Sequence, residues 1–396
     1  WDGRIRRHDQ RWLESTHVIP EWYRNRRPPP DDEVAWCLSK ASTGQGHRRW
    51  VALYGLALRR DPRALPHMLD LVLGQPLLWY LPIYGTSLFL LFGEDAVPPL
   101  IAALNGVPGR EERCKIAMVL GEMRDSRSAG AIIALLESQD EETTRVACEA
   151  LGKIGGRDAV SALCRLLERD RRTPRYYETW PVAAALRKLG DPSAAPHLCY
   201  HAAIGTSEAT AALHEMGTAE TLGSLCLLLR QDAQHAARSL SWGERKPADI
   251  RLVPALIWFL RERAGDAGWW AVRDCTGLLR RGAARGEVAR ESNWGQVRKD
   301  WIEWWDGEGR LWWLAQLKTA LPAEAPDDWL RFGSDDERFW LSFLSPDAPP
   351  CLQIGAMNLL RREADARARA FLEQAAQDTR WPLREAARLA LDRVWK

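Results

Sequence analysis

The chain has 396 residues, and its hydrophobic fraction of 46% is that of a folded protein. Its 55 basic and 53 acidic side chains leave a net charge of +2, which offers no general attraction to a polyanion, so nucleic acid is an unfavoured partner. The eight cysteines occur singly and never as CxxC, which is typical of small core residues in a reducing, cytoplasmic compartment.

Residues 1–30 predict a basic arm followed by a stiff linker. Seven arginines stand against four acidic residues in this segment, and Pro28, Pro29 and Pro30 end it. Because the sequence begins at Trp1 and not at methionine, we expect an upstream leader, anchor or domain to be missing. Any contact with a membrane is predicted only through that missing segment.

A leucine recurs along the middle of the chain at spacings of 32, 32, 31, 35, 27 and 27 residues. A period of about 30 residues with helical patterning predicts an α-solenoid, in which each helix pair stacks on the next. Residues 71–92 are almost uncharged, but glycines and prolines interrupt them and they keep the repeat register, so they predict repeat helices and no membrane span. The recurring leucines are Leu56, Leu88, Leu120, Leu151, Leu186, Leu213 and Leu240.

The clearest repeat covers residues 140–170. Its first half has Val146, Leu151 and Ile154 at helical spacing, which predicts a helix with one apolar side. Gly155 and Gly156 are predicted to end that helix, and a second apolar pattern follows them. Neither helix can bury its apolar side alone, so the pattern indicates stacking on neighbouring repeats.

The segments ALGKIGGRDAVSALCRLL (150–167) and VLGEMRDSRSAGAIIALL (119–136) resemble HEAT repeats, in particular the short kind found in phycobilisome lyase subunits and bacterial scaffold proteins. The resemblance extends over residues 51–240. It implies that Asp140 with Arg145, and Asp378 with Arg384, tie adjacent repeats together. It implies an architecture and not an activity.

The predicted fold is therefore all-α: an α-solenoid of stacked HEAT-like helix pairs with a tryptophan-rich, less regular C-terminal part. Eleven of the 21 tryptophans lie between Trp258 and Trp340, whereas Trp180 is alone between residues 80 and 240. We predict a basic arm and linker over residues 1–30, a solenoid over residues 31–282, and a tryptophan-rich region ending in HEAT-like helices over residues 283–396.

Two adjacent tryptophan pairs, Trp269/Trp270 and Trp312/Trp313, form the first candidate partner-binding site. Both indoles of an adjacent helical pair cannot point into the same core, so these pairs favour an aromatic groove for a peptide or planar ligand. The alternative is that tryptophan fills a core in which irregular helices need bulky side chains.

The second candidate site is the insertion ERDRRTPRYYETW (168–180), which lengthens one repeat by about four residues. Cationic and aromatic side chains are interleaved in it, a mixture that suits an acidic peptide, a phosphate or a single-stranded nucleic acid. A solvated loop with its aromatic rings tucked against the next repeat is the alternative. The residues predicted to contact a partner are Arg171, Arg172, Arg175, Tyr176, Tyr177 and Trp180.

No sequence pattern indicates catalysis, a cofactor or a metal. His197 and His201 have the i, i+4 spacing of helical metal ligands, but the recurrent His-Glu pairs of the di-iron HEAT enzyme deoxyhypusine hydroxylase are reduced here to His214-Glu215. GxSxG, Walker and HExxH motifs do not occur. The chain is therefore predicted to have no catalytic residue, no metal site and no cofactor.

The favoured hypothesis is a non-catalytic scaffold that presents a concave HEAT-repeat surface, lined by the second helices, to a protein or peptide partner. One alternative is a bilin-lyase-like or other small-ligand-binding HEAT protein with its pocket between Trp269 and Trp313. Another is a nucleic-acid-binding protein similar to HEAT-like alkylpurine DNA glycosylases, although the balanced charge disfavours it.

Overall fold

The structure is a computed structural model, and the residues it describes form helices, turns and connecting loops. These residues are 23, 25–44, 46–74, 82–138, 140–169, 176–231, 249–262, 273, 275, 276, 279, 294–321, 323, 325–360 and 366–395. The predicted boundary between residues 282 and 283 lies outside them. The fold is the predicted all-α solenoid of helix pairs, and it divides into two compact units, unit 1 (residues 1–159) and unit 2 (residues 160–396).

Unit 1 consists of helix pairs arranged in two layers. In each pair we call the earlier helix the first helix and the later one the second helix. The first helices, α2, α4, α6 and α8, contact one another in succession and form one layer. The second helices, α3, α5 and α7, pack beside them and form the other. The helices are α1 (Asp31–Thr43), α2 (Gly46–Leu58), α3 (Leu65–Leu73), α4 (Pro82–Phe92), α5 (Val97–Gly106), α6 (Arg110–Met123), α7 (Ala129–Leu135) and α8 (Glu141–Ile154). The recurring leucines of this unit are fully buried in first helices. They therefore mark the contact between the two layers.

The turn between the helices of a pair is held by an aspartate and an arginine two residues later. Asp125 accepts hydrogen bonds from the backbone amide, Nε and Nη2 of Arg127, at 2.9, 2.9 and 2.6 Å. Arg127 Nη2 also donates to the Glu94 carbonyl of the preceding pair at 3.0 Å. Asp61 with Arg63, Asp249 with Arg251, and Asp378 with Arg380 repeat the geometry. The motif Asp-x-Arg therefore both closes the turn and, at Arg127, joins neighbouring pairs.

Asp140 was predicted to tie adjacent repeats together with Arg145, but its partner in the preceding pair is a different arginine. Asp140 caps α8 by accepting from the Thr143 amide at 2.7 Å, and its other oxygen accepts from Arg110 of the preceding pair at 2.7 Å. Arg145 instead bonds Glu142 one helical turn earlier. Likewise, Asp378 bonds the Arg380 side chain, and Arg384 donates to the Asp378 carbonyl at 3.1 Å.

Unit 2 begins within α9 (Arg157–Arg169), since the division falls after Ala159. Its further helices are α10 (Tyr176–Leu189), α11 (Ala195–Ala203), α12 (Ser207–Met216), α13 (Ala219–Gln231), α14 (Val253–Glu262), α15 (Trp294–Trp304), α16 (Arg310–Ala320), α17 (Pro326–Phe332), α18 (Glu337–Leu341), α19 (Pro350–Leu359), α20 (Ala366–Ala375) and α21 (Trp381–Trp395). A single-turn π-helix, Trp305–Gly309, separates α15 from α16. These short helices and the π-helix confirm the predicted loss of regularity.

The C-terminal helices of unit 2 form a third layer that a simple solenoid lacks. Helix α19 contacts α11 and α13, α21 contacts α11, and α17 contacts α13 and α14. Repeats in a solenoid normally contact only their neighbours in sequence. Every residue from 221 to 229 in α13 is buried, because the helix is covered on all sides.

Most described tryptophans of the C-terminal part are core residues. Trp301 and Trp313 are fully buried, and Trp304, Trp305 and Trp340 are at most 8% exposed. The eight cysteines are buried and none forms a disulfide.

Among the described residues, no single helix is long and apolar enough to span a membrane. The pair Gly85–Phe92 and Glu94–Gly106 meets the length and composition criteria together, but it bends by 112° at its break.

Candidate functional site

An open groove of about 420 Å³ lies in unit 2, where α14, the π-helix and α17 meet. Its apolar lining comprises Pro254, Ile257, Trp258, Trp305 and Leu330. Its polar lining comprises Arg261, Asp306, Arg310, Asp327, Arg331 and Ser334, beside Gly333. Because the side chains of Asp306, Arg310 and Asp327 are exposed, this polar edge faces solvent.

The position of the Trp258 ring in the groove is fixed by groups on both of its sides. The Arg230 guanidinium lies 3.8 Å from the Trp258 ring centroid and 4.2 Å from that of Trp340, so it is held between two indoles. Trp258 Nε1 donates to Asp335 Oδ1 at 2.7 Å. The apolar floor of the groove is therefore preorganised.

Two of the groove arginines already bind carboxylates. Arg261 Nη2 donates to Asp306 Oδ1 at 2.5 Å, and Arg331 Nη2 donates to Asp336 Oδ2 at 3.1 Å. Arg310 and Asp327 form no ion pair with any other residue that the structure describes. The edge thus offers one uncommitted cation and one uncommitted anion to a ligand.

The second helices of the successive pairs share a common register of buried and exposed positions. Each has a buried anchor residue, and a residue two positions later lies about 200° round the helix, on the opposite side. The anchors are Met68, Leu100, Ile132, Leu163, Leu198, Leu225 and Leu256. We call the residue two positions later the outer position; its occupants are Asp70, Ala102, Ala134, Arg165, Tyr200, Leu227 and Trp258.

Exposure at the outer position changes along the chain. Asp70, Ala102, Ala134 and Arg165 are exposed, whereas Tyr200, Leu227 and Trp258 are buried.

Residues of the C-terminal part cover the side chains at the three buried outer positions. The Trp381 ring of α21 packs edge-on against Tyr200 at 4.9 Å, and Gly355 of α19 packs against Leu227. Asp335, just after α17, bonds Trp258. Large apolar residues therefore occupy this position where the chain covers its own second helices.

Comparison with known proteins gives a match for part of the repeat region. A sequence profile described as HEAT repeats matches residues 97–177, which extend from α5 to the start of α10.

This segment contains HEAT repeats.

A crystal structure of an engineered protein, a target of the Northeast Structural Genomics Consortium, is 16% identical over 92% of this chain and 89% of its own, with a TM-score of 0.32. No curated protein matches the chain.

Of the predicted partner-binding residues, the structure describes the side chains of Trp180, Trp312 and Trp313. Trp313 is fully buried and its Nε1 donates to the Ile250 carbonyl at 2.8 Å, so it is part of the core of unit 2. Trp312 is half-buried, 5.8 Å from the Trp304 ring. Trp180 is 41% exposed on α10. Arg171, Arg172, Arg175, Trp269, Trp270 and the side chains of Tyr176 and Tyr177 lie outside the described residues.

The two spaced histidines lie on α11, against Trp381 of α21. His197 Nε2 bonds Glu168 Oε1 at 2.9 Å, and both histidine rings stack on Trp381 with centroids 6.0 Å apart. Burial lowers the pKa of His201 to about 4. No three His, Cys, Asp or Glu side chains of the described ranges are grouped so as to hold a metal ion.

The residues that line the groove beside Trp258 are not the ones that the sequence singled out. Trp258, Arg261, Asp306, Arg310 and Asp327 lie on four elements separated by up to about seventy positions. The outer position was visible in the sequence, because its occupants change from Asp, Ala, Ala and Arg to Tyr, Leu and Trp.

Proposed function

We propose that the protein is a non-catalytic interaction scaffold and that the groove beside Trp258 binds an extended segment of a protein partner. The observation that supports it is the combination of a rigid indole floor with uncommitted charges of both signs, Arg310 and Asp327, at the edge. An extended peptide can place an apolar side chain on the floor and offer both an acceptor and a donor to the edge.

The surface next to the groove favours a macromolecular partner. Leu311 follows Arg310 at the start of α16 and is 71% exposed, more than any other large apolar side chain among the described residues. Exposed apolar side chains beside a polar edge are typical of protein interfaces. A partner segment that leaves the groove past Arg310 would cover Leu311.

The charges of the groove favour a peptide over a bilin-like or other small ligand and over a nucleic acid. Since Arg261 and Arg331 already bond carboxylates, a small polyanionic ligand would find one available guanidinium, that of Arg310. Asp306 and Asp327 would repel the phosphates of a nucleic acid at the same edge.

Selection of peptides from a displayed library on the immobilised protein, followed by titration calorimetry, tests the proposal. We expect the selected peptides to contain an apolar residue beside an acidic one, and Arg310→Glu to weaken their binding about tenfold or more. Arg338→Glu is the matched control, because Arg338 is also exposed but does not line the groove. Equal losses in both variants, or no selected peptide, would contradict the proposal.

A further inference from the structure

The edge of the Trp258 groove has a positive and a negative side chain that do not pair with each other. Arg310 begins α16 and Asp327 lies in the first turn of α17, and these two helices contact each other. Both side chains are exposed and line the groove, but no ion pair joins them, so their charged atoms are more than 4.0 Å apart. The groove therefore has a cation and an anion that are separated from each other.

The other charged side chains of the groove differ in this respect. Arg261 Nη2 bonds Asp306 Oδ1 at 2.5 Å, and Arg331 Nη2 bonds Asp336 Oδ2 at 3.1 Å. Each of these pairs is neutral as a unit, so it has little attraction left for the charge of a ligand. The charge preference of the groove is therefore set by the two side chains that form no ion pair within the described part of the chain.

The floor of the groove is apolar and is formed by Pro254, Ile257, Trp258, Trp305 and Leu330. In an extended peptide, neighbouring side chains point to opposite sides of the backbone. When a central apolar side chain faces this floor, the residues before and after it lie towards the solvent edge. Their side chains can then approach Arg310 and Asp327.

We infer that the partner segment has an apolar residue flanked by one acidic and one basic residue, the acidic one bound by Arg310 and the basic one by Asp327. This charge composition rests on the proposed peptide-binding function and extends it. A segment with two acidic or two basic flanking residues would make one attractive and one repulsive contact at the same edge. Arg310 and Asp327 are thus the residues that determine the specificity of the groove.

Short synthetic peptides with acetylated and amidated ends, which remove the terminal charges, provide the test. Their central residues are Glu-Leu-Lys, Lys-Leu-Glu, Glu-Leu-Glu or Lys-Leu-Lys, between uncharged glycine and serine residues. Titration calorimetry measures their binding to the full-length protein at low ionic strength, where charge contacts are least screened. We expect the better of the two mixed peptides to bind the wild type at least about threefold more tightly than either like-charged peptide.

Reversal of one charge should change which peptide binds best. Arg310→Glu leaves two acidic side chains at the edge and should prefer Lys-Leu-Lys, whereas Asp327→Arg leaves two basic ones and should prefer Glu-Leu-Glu. The controls Arg338→Glu and Asp347→Arg make the same changes at exposed residues outside the groove and should keep the wild-type preference. All four positions are exposed, so the variants are expected to fold, and circular dichroism checks this.

The outcomes distinguish this specificity from the function on which it rests. If the wild type binds all the peptides equally, or if the two groove variants keep its preference, the inference is overturned and peptide binding by the groove stands. If none of the peptides binds at about 1 mM, the inference is also overturned, and the proposed function fails with it when library selection yields no peptide either. Displacement of the mixed peptide by an equal concentration of free leucine would show that the groove takes a small zwitterion instead.

Discussion

Gly355 in α19 lies so close to Leu227 in α13 that a Cβ atom at Gly355 would come within 2.6 Å of Leu227 Cδ1 and 3.1 Å of its Cβ. The two residues are about 130 positions apart in sequence, yet they set the spacing between the second-helix layer and the C-terminal layer of unit 2.

The first prediction concerns this close approach. Gly355→Leu should destabilise the protein by about 2–3 kcal/mol, because α13 is buried on all sides and cannot move away from the added side chain. Urea unfolding followed by circular dichroism measures the loss. Ala370→Leu adds a side chain of similar size on the exposed side of α20 and should have little effect. Equal stability of the two variants would show that the layers separate without cost.

The second prediction concerns the first-helix layer of unit 1. A Cβ at Gly121 in α6 would lie 2.8 Å from Ala150 Cα in α8, so the obstacle is backbone and not a flexible side chain. Gly121→Ala should therefore cost about 1–3 kcal/mol, although alanine is the better helix former. In Gly130→Ala the new methyl group meets no atom within 4 Å, and the thermal midpoint should stay level or rise. A rise in both variants would contradict the close packing of α6 on α8.

The third prediction concerns the Asp-x-Arg turns. Arg251 is 7% exposed, bonds Asp249 through its amide, Nε and Nη2, and donates to the Gly217 carbonyl at 2.7 Å. Lysine cannot reproduce this fork, so Arg251→Lys should cost about 1–2 kcal/mol. The equivalent change Arg127→Lys, at an exposed arginine, should cost clearly less. Urea midpoints of the two variants make the comparison, and equal losses would contradict it.

The fourth prediction concerns pH. Burial holds the pKa of His201 at about 4, below its ordinary value of 6.5, so the unfolded chain binds the proton more readily than the folded one. The neutral, buried His201 therefore makes its full contribution to the free energy of unfolding above pH 6.5. That contribution is lost as the pH falls towards 4. Between pH 7.5 and pH 5 the loss should be about 2 kcal/mol.

Comparison with His201→Phe isolates this effect from that of the carboxylates. Phenylalanine keeps a ring against Trp381 and has no proton to bind. The difference in unfolding free energy between pH 7.5 and pH 5 should shrink in the variant, whereas His67→Gln, at a half-buried histidine, should leave it unchanged. An equal pH dependence in all three proteins would contradict the assignment to His201.

The part of the fold that depends on local pattern was predictable from the sequence. Leu120 and Leu151 occupy equivalent buried positions because the helical period and the repeat length together determine which side of each helix faces the other layer. Gly155, at a φ of 81°, ends α8 as predicted, because glycine adopts positive φ readily.

The third layer was not predictable, because it depends on contacts between distant segments. The pattern of α19 indicates an apolar helix, but nothing local shows that Gly355 opposes Leu227 or that Arg230 fits between Trp258 and Trp340. The adjacency of Trp312 and Trp313 indicated that both indoles cannot enter the same core, but not which of the two does. In the structure, the buried acceptor at Ile250 draws only the second indole inward.

The third layer also sets the order in which the chain can fold during synthesis. Unit 1 buries its leucines through pairs about thirty residues apart, so each pair can form soon after it emerges from the ribosome. Helix α13 emerges long before α19, and at ordinary rates of synthesis its apolar outer side waits on the order of ten seconds for its cover. In that interval the Leu227 side chain is exposed and can pack against any other uncharged helix. A chain truncated before residue 350 would remain permanently in that aggregation-prone state.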